Sequence, residues 1–263
     1  MRVGVVGAGG KMGREVCRTV VADPELELVA AVDPAAAGEE VAGLRIAAEL
    51  EALVDADAEV VVDFTRVEAA RASLAWCSEH GLHAVVGTTG FDDRDMATLR
   101  RLFAGPDHGA PNCVLAANFA IGAVLMIRFA EIAAPWFDEA EIVELHHDGK
   151  IDAPSGTSLQ TAERMAAARG EAGLDPFPAD RTTRVMVEGA RGGSGPGGVR
   201  MHSVRLRGLV AHQEVLFGAT GQGLTIRHDS YDRSSFMAGV ALAVKAVATR
   251  PGLTLGLEPL LGF

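Results

Sequence analysis

The chain has few cysteines, no long apolar run and no surplus of positive charge, and each shortage argues against a class of protein. Its three cysteines, Cys17, Cys77 and Cys113, are odd in number and far apart, which argues against a disulfide framework and against a zinc ribbon. No apolar run reaches the ~18 residues of a membrane span. Lys and Arg total 24 against 35 Asp and Glu, a formal net charge of -11, so nucleic acid is not an expected partner. The same field repels anions, and an anionic substrate has to be held by a local cluster of positive groups. Internal repeats and blocks of like charge are also missing. The opening "MRVGVVGAGG" enters a strand pattern at once, without the anatomy of a signal peptide. The expected compartment is therefore the cytoplasm, with no membrane partner.

What is present is a strand, a glycine loop and a helix. Residues 2–7 are apolar, "GREVCRTVVAD" reads as a helix, and "GAGGKMG" lies between them. The common G-x-G-x-x-G fingerprint is not met, because Met12 stands in its third glycine place. The loop instead matches G-x-x-G-x-x-G, with Gly7, Gly10 and Gly13 in phase. Glycine lets the chain turn tightly and lets its backbone approach a pyrophosphate at a helix N-terminus. A second strand, "LELVAAVD", ends in Asp33, where a carboxylate can accept hydrogen bonds from ribose hydroxyls. Three more apolar runs follow, at 59–65, 83–90 and 112–119, separated by helical stretches at 68–81 and 93–103. This alternation predicts an α/β fold with a Rossmann-type, doubly wound parallel sheet. Ligands of such sheets sit beyond the carboxyl ends of the strands, where Thr65, Gly87–Thr89 and Ala116–Phe119 fall. Together these features point to a nicotinamide dinucleotide.

After Asn118 the pattern changes. A long apolar helix precedes the strand "EIVELHH" (141–147) and a helix opening near Ser155; the glycine-rich loop 189–198 follows. Then "VRMHSVRLRG", "AHQEVLFGA" and "GLTIRHDS" read as antiparallel strands with tight glycine turns. The expected organisation is a dinucleotide-binding domain over 1–118 and a substrate-binding and oligomerisation domain over 119–232. The latter is an α+β domain with a mostly antiparallel or mixed sheet, and the C-terminal helix, about 233–263, packs back on the first domain.

The segment "ELHHDGKIDAPSGTS" (144–158) carries the densest chemistry. A metal site would want histidines at helical i, i+4 spacing or a further carboxylate cluster, and adjacent residues on a strand point to opposite faces. No metal is expected. Two histidines at a strand end can be structural, but Lys150 and the turn 152–157 follow immediately. The N–H groups of Gly156 and Thr157 fall at a helix N-terminus, which favours a carboxylate. A general acid, a cation and an anion cradle in one short segment describe a site for a small carboxylic acid.

These motifs resemble the bacterial 4-hydroxy-tetrahydrodipicolinate reductases, also called dihydrodipicolinate reductases. The similarity runs through "VGVVGAGGKMG", "VVVDFT", "VVGTTGF", "AANFAIGA", "ELHHDGKIDAPSGT", "GLVAHQEVLFG" and "LTIRHDSYDRSSF", nearly the whole chain. The resemblance implies that His146 is the proton donor and acceptor, Lys150 a second proton donor, and His147, Gly156 and Thr157 substrate-binding. It implies that the dinucleotide contacts Gly7, Ala8, Gly9, Gly10, Lys11, Met12, Asp33, Gly87, Thr88, Thr89, Ala116, Ala117, Asn118 and Phe119. It further implies a cyclic imine dicarboxylate as substrate, lysine and diaminopimelate biosynthesis as the setting, and a homotetramer assembled through the C-terminal sheets. Two features depart from the pattern. The loop 192–198 is unusually rich in glycine, so no place beside the substrate is assigned to Arg191. Pro34 and alanines follow Asp33 where members that favour NADPH often carry arginine. Asp33 and Lys11 act in opposite senses on a 2′-phosphate, and the expectation is NADH preferred with NADPH tolerated. The competing readings are another Rossmann amino-acid dehydrogenase, such as an aspartate dehydrogenase, and a non-catalytic dinucleotide-sensing module.

Overall fold

A computed structural model describes all 263 residues, and the chain divides into two compact units. The first comprises Met1–Ile121 and Arg233–Phe263, the second Gly122–Asp232. In the first, β1 (Arg2–Val6) leads to α1 (Lys11–Ala22) and β2 (Glu27–Val32). A small hairpin, β3 (Glu40–Val41) and β4 (Leu44–Arg45), precedes the short helix α2 (Glu51–Asp55). Then come β5 (Val60–Asp63), α3 (Val67–Glu79), β6 (His83–Val86), α4 (Asp93–Leu102) and β7 (Cys113–Leu115). The second unit holds most of α5 (Ile121–Ala133), then β8 (Glu139–His146) and α6 (Gly156–Glu171). It continues with the two-residue β9 (Gly193–Ser194), β10 (Arg200–Arg205), β11 (Ala211–Ala219) and β12 (Gln222–Ser230). The chain returns to the first unit as α7 (Met237–Val247), β13 (Leu253–Leu255) and α8 (Glu258–Leu261). No helix is long and apolar enough to cross a membrane.

The valine runs of β1, β5 and β6 are fully buried, as strands covered on both faces must be. The sheet order is β2-β1-β5-β6-β7-β13 and every pair is parallel. The order reverses between β1 and β5, which places the ligand crevice of such a fold at their carboxyl ends. Helix α4 starts on a reciprocal capping box between Asp92 and Asp95, which satisfies two of the otherwise unpaired N-terminal amides.

The expected C-terminal helix over 233–263 is only partly a helix. It stops at Val247, and Leu253–Leu255 add a sixth parallel strand beside β7. Three residues behind a Pro-Gly pair are too few to show a period. Asn112 fixes the return: its Nδ2 donates to Val247 O and Ala248 O, at 3.0 and 3.1 Å, and its Oδ1 accepts the Gly252 N–H at 3.0 Å. Lys245 on α7 also pairs with Asp23, at 2.8 Å, and with Glu25.

The second unit has a mixed sheet of order β12-β11-β8-β10-β9. The expected antiparallel neighbours 200–205 and 211–219 do not pair with each other. Strand β10 lies parallel to β8 on its other side, and β8 separates it from β11. The connection 206–210 therefore crosses the end of β8 and is not a hairpin turn. Leu206 N donates to His146 O at 3.1 Å and His147 N to Val210 O at 3.4 Å.

One face of this sheet is layered. Ala140 and Ile142 of β8, Met201 of β10, and Val215 and Phe217 of β11 pack with Met126, Ile127 and Ala130 of α5 and with Ala162 and Met165 of α6. Above them, in register on the same face, stand Ser203, Glu144 and Gln213, and above those Arg205, His146 and Ala211. The core thus passes into a polar layer toward the end of β8. The opposite face carries Val143, Leu145, Val204 and Leu216, none of them fully buried.

Candidate active site

Two clusters of the expected residues form, one on each unit. On the first, the loop after β1 turns at Gly7, whose φ of +77° is left-handed, a region that glycine enters without steric penalty. The Gly7 and Ala8 amides donate to Val32 O at 2.8 and 3.1 Å. A Cβ at Gly13 would lie 2.1 Å from Gly7 O, so α1 can begin against the loop only with glycine there. The first backbone bond of α1 runs from Arg14 N to Gly10 O, and Lys11, Met12 and Gly13 keep unpaired amides at the helix N-terminus. That donor set fits a pyrophosphate.

Asp33 Oδ2 accepts the Gly9 N–H at 3.1 Å and Oδ1 the Ala35 N–H at 3.0 Å, so the carboxylate borders the glycine loop. Lys11 is exposed and makes no ion pair. Thr88 is buried and turned inward, with Oγ1 donating to Thr65 O at 3.0 Å. Phe119 is also buried, so its backbone is what it presents. Gly87 is pressed against the Phe64 ring, which a Cβ there would enter at 1.9 Å. A buried carboxylate unforeseen in the sequence, Asp63, joins these loops by accepting from Thr65 N at 2.8 Å, Thr65 Oγ1 at 2.6 Å and Ser73 Oγ.

On the second unit, His146 and Glu144 share a face because residues two apart on a strand point the same way. His146 Nδ1 bonds Glu144 Oε2. Glu144 is fully buried and is gripped by Arg205, with Nη1 on Oε2 at 2.9 Å and Nη2 on Oε1 at 2.8 Å. Burial pushes the Glu144 carboxyl up, but hydrogen bonds from Arg205, Ser203 and His146 outweigh it and hold it below its ordinary value. Burial pushes His146 down, and the opposing pull of Glu144 does not restore it; Lys150 and Arg205 add to the lowering.

Lys150 Nζ lies 2.8 Å from both carboxylate oxygens of Asp152. His147 stands beyond the strand end, exposed, its ring joined to no other site residue by a hydrogen bond; its carbonyl accepts the Lys150 N–H at 3.2 Å. Helix α6 opens at Gly156, and its cap Ser155 accepts the Ser158 N–H at 3.2 Å. Gly156 and Thr157 are left with unpaired amides. This end of the helix is pinned to the sheet: Gln213 Oε1 accepts from Ser158 Oγ at 2.7 Å and Nε2 donates to Thr161 Oγ1 at 2.9 Å.

The structure thus brings His146, Lys150, Gly156 and Thr157 into one segment, with His147 on its margin. Arg191 is elsewhere: it precedes β9 and is bonded to Glu141, near the start of β8, at 2.5 Å. It lines a cavity of about 560 Å³ with Asp180, Arg181 and Arg200, whose charges are already paired. Sequence reasoning missed Glu144, Arg205, Asp152 as the partner of Lys150, and Gln213. Strand alternation is the one signal that links Glu144 to His146.

Two family models cover almost the whole chain: dihydrodipicolinate reductase N-terminus over 1–119 and C-terminus over 122–261. Among curated relatives, the 4-hydroxy-tetrahydrodipicolinate reductase of Cutibacterium acnes is 52% identical over 100% of this chain and 99% of its own length. That of Nocardia farcinica is 51% identical over 99% and 98%. The solved dipicolinate-bound dihydrodipicolinate reductase from Paenisporosarcina sp. TG-14 superposes with a TM-score of 0.85 at 39% identity, covering 98% of both chains. GenD2 from gentamicin A biosynthesis, solved with NAD, shares the fold at 17% identity, 95% and 87% coverage, and a TM-score of 0.61. On these matches, and on a glycine loop and a His-His-x-x-Lys segment that fold as described, the chain belongs to the dihydrodipicolinate reductase family.

Proposed function

We propose that the chain catalyses the NAD(P)H-dependent reduction of 4-hydroxy-tetrahydrodipicolinate to tetrahydrodipicolinate, in cytoplasmic lysine and diaminopimelate biosynthesis. The observation that carries this reading is the segment 144–157. Within a member of this family, it holds an imidazole with one nitrogen free, an ammonium group and two unpaired helix-terminal amides.

The amides of Gly156 and Thr157 hold one ring carboxylate, and His147 contacts the substrate from the margin. Lys150 exchanges Asp152 for substrate, orients the ring and serves as a second proton donor. The dinucleotide is held by Gly7, Ala8, Gly9, Gly10, Lys11, Met12, Asp33, Gly87, Thr88, Thr89, Ala116, Ala117, Asn118 and Phe119, and when bound it supplies a hydride. The substrate loses its 4-hydroxyl as water to give a conjugated imine; hydride addition to that system leaves an electron-rich ring that must take a proton, which requires an acid poised near neutral pH. With Nδ1 engaged by Glu144, Nε2 of His146 is the nitrogen that delivers it. A dianionic substrate favours the charged imidazole, and the burial that lowers its pKa makes the proton easy to give.

NADH is the preferred cofactor and NADPH is tolerated. The Asp33 carboxylate beside Gly9 repels a 2′-phosphate, and the unpaired Lys11 partly offsets that. The protein assembles as a homotetramer through the C-terminal sheets, a reading that the half-buried apolar side chains of Val143, Leu145, Val204 and Leu216 on the second sheet face support. Stoichiometric oxidation of NADH on adding the cyclic dicarboxylate is the expected result. Oxidation only with an open-chain amino acid, or none, would overturn the reading.

A further inference from the structure

Glu144 is an expensive residue at its position. The layer directly beneath it is apolar, with Ile142, Met201 and Val215 on the same face. An ionised carboxylate taken out of water costs several kcal/mol unless its oxygens are paired, whereas another apolar residue would simply extend the core. Here both carboxylate oxygens are engaged, and Ser203 adds a further hydrogen bond. Oε2 faces Nδ1 of His146 and Nη1 of Arg205, and Oε1 faces Nη2 of Arg205. The same Nη2 reaches on to Asp152 O at 2.6 Å. Asp152 holds Lys150 and lies at the start of the turn that ends in the amides of Gly156 and Thr157.

We infer that Glu144 and Arg205 are positioning residues for the reaction, Glu144 fixing the tautomer of His146 and Arg205 tying that histidine's partner to the turn that carries Lys150 and the carboxylate cradle. The inference rests on His146 being the proton donor. An ionised carboxylate only accepts hydrogen bonds, so the Nδ1 proton stays on the Glu144 side and Nε2 is left to exchange protons with the ring. Without this partner, neutral imidazole is free to place its proton on either nitrogen. Arg205 has the complementary task. Its guanidinium forks onto both carboxylate oxygens, which a lysine ammonium cannot do, and its reach to Asp152 O joins β10 to the segment after β8. The charged groups facing His146 are Glu144, Lys150 and Arg205, with Asp152 behind Lys150. Strand β11 presents Ala211 opposite His146, and the first turn of α6 carries no acidic side chain.

The test is the pH profile of kcat and KM for Glu144→Gln and Glu144→Asp. Glu144→Gln should lower kcat by about tenfold or more, a part of the roughly 10²–10⁴ that a positioned acid supplies, with little change in substrate KM. It should also move the limb of kcat/KM assigned to His146 toward lower pH, because the negative charge that favours imidazolium is gone. Glu144→Asp keeps the charge and should leave the limb in place while recovering part of kcat. A kcat loss with an unmoved limb in Glu144→Gln, matched by a fall in melting temperature, would mean that the pair is only structural. In a His146→Gln background, Glu144→Asp should cause no further loss of kcat; a full additional loss would overturn the inference. If His146→Gln itself keeps normal kcat, the failure belongs to the proton-donor assignment. Nitrogen chemical shifts of labelled histidine in the unaltered enzyme need no variant to fold. They should show His146 protonated on Nδ1 at neutral pH, and protonation on Nε2 would sink the proposal.

Discussion

Lys150 and Asp152 form a closed pair, with the ammonium 2.8 Å from both carboxylate oxygens and the carboxylate the more exposed partner. A dicarboxylate that uses Lys150 therefore has to displace Asp152. Asp152→Asn removes this competitor and should tighten inhibition by pyridine-2,6-dicarboxylate by up to about fivefold, the scale of an exposed ion pair. Lys150→Ala should weaken that inhibition by roughly tenfold or more, the scale of a hydrogen bond to a charged group, and should flatten its dependence on salt. Inhibition constants at two ionic strengths check both. Competition against NADH and not against substrate would remove Gly156 and Thr157 from the carboxylate site.

His146 and His147 are adjacent in sequence but part company at the end of β8. His146→Gln should lower kcat by roughly 10²–10⁴ with a smaller change in substrate KM, and His147→Gln should act mainly through KM. Steady-state kinetics on the two variants, each first checked for NADH binding, decide the matter. The opposite pattern would exchange their roles, and normal kinetics in both would reduce the segment to a structural corner.

Asp33 braces the glycine loop as well as facing the expected ribose. Asp33→Ala should raise the ratio of kcat/KM for NADPH to that for NADH, while weakening both cofactors because Gly9 loses its acceptor. In the unaltered protein the preference for NADH should be modest. A ratio near a thousandfold in either direction, about 4 kcal/mol, would mean that a single residue dominates. An unchanged ratio in Asp33→Ala would take this residue out of the site.

Acid should destabilise the protein in two stages. His83, His146 and His228 are all held below the ordinary 6.5, burial being the largest cause in each. Such a group binds fewer protons folded than unfolded, so its contribution is complete above pH 6.5 and is lost as the pH falls through the folded value. Glu141 and Glu144 are pushed up by burial but held below 4.5 by their ion pairs. Their contribution is present above that value and disappears as pH falls through the lower, folded one. Urea unfolding near pH 8, 6 and 4 should give a midpoint that falls at each step, and His146→Gln should shrink the first drop. A midpoint that rises between pH 8 and 6 would contradict this.

How much of this was legible in the sequence depended on how local the physics was. The glycine loop, the valine strands and the helix cap at Ser155 announce themselves through neighbours a few residues apart. The partner of Glu144 does not, because Arg205 is brought alongside only when β10 pairs parallel to β8. A carboxylate at an alternating strand position reads as a solvated residue, and nothing in "ELHH" tells that its face is the buried one. The same crossover is why "VRMHSVRLRG", which has the pattern of an antiparallel neighbour of the following strand, pairs with β8 instead. Thr88 was visible as a loop residue at a strand end, but the inward turn of its hydroxyl depends on Asp63 and Thr65 meeting it in space.

Gln213 has a consequence for how the site spends binding energy. Its amide, held by Ser158 and Thr161, clamps the first turn of α6 to the sheet through a fully buried network. The two free amides at that turn are thus rigid before any ligand arrives. An anion landing there has no helix end to order, and whatever mobility turnover requires must be found in other segments. On the proposed assignment of Gly156 and Thr157 to a substrate carboxylate, these amides act as a fixed jaw, and affinity for a flat dicarboxylate should be nearly independent of how the rest of the molecule moves.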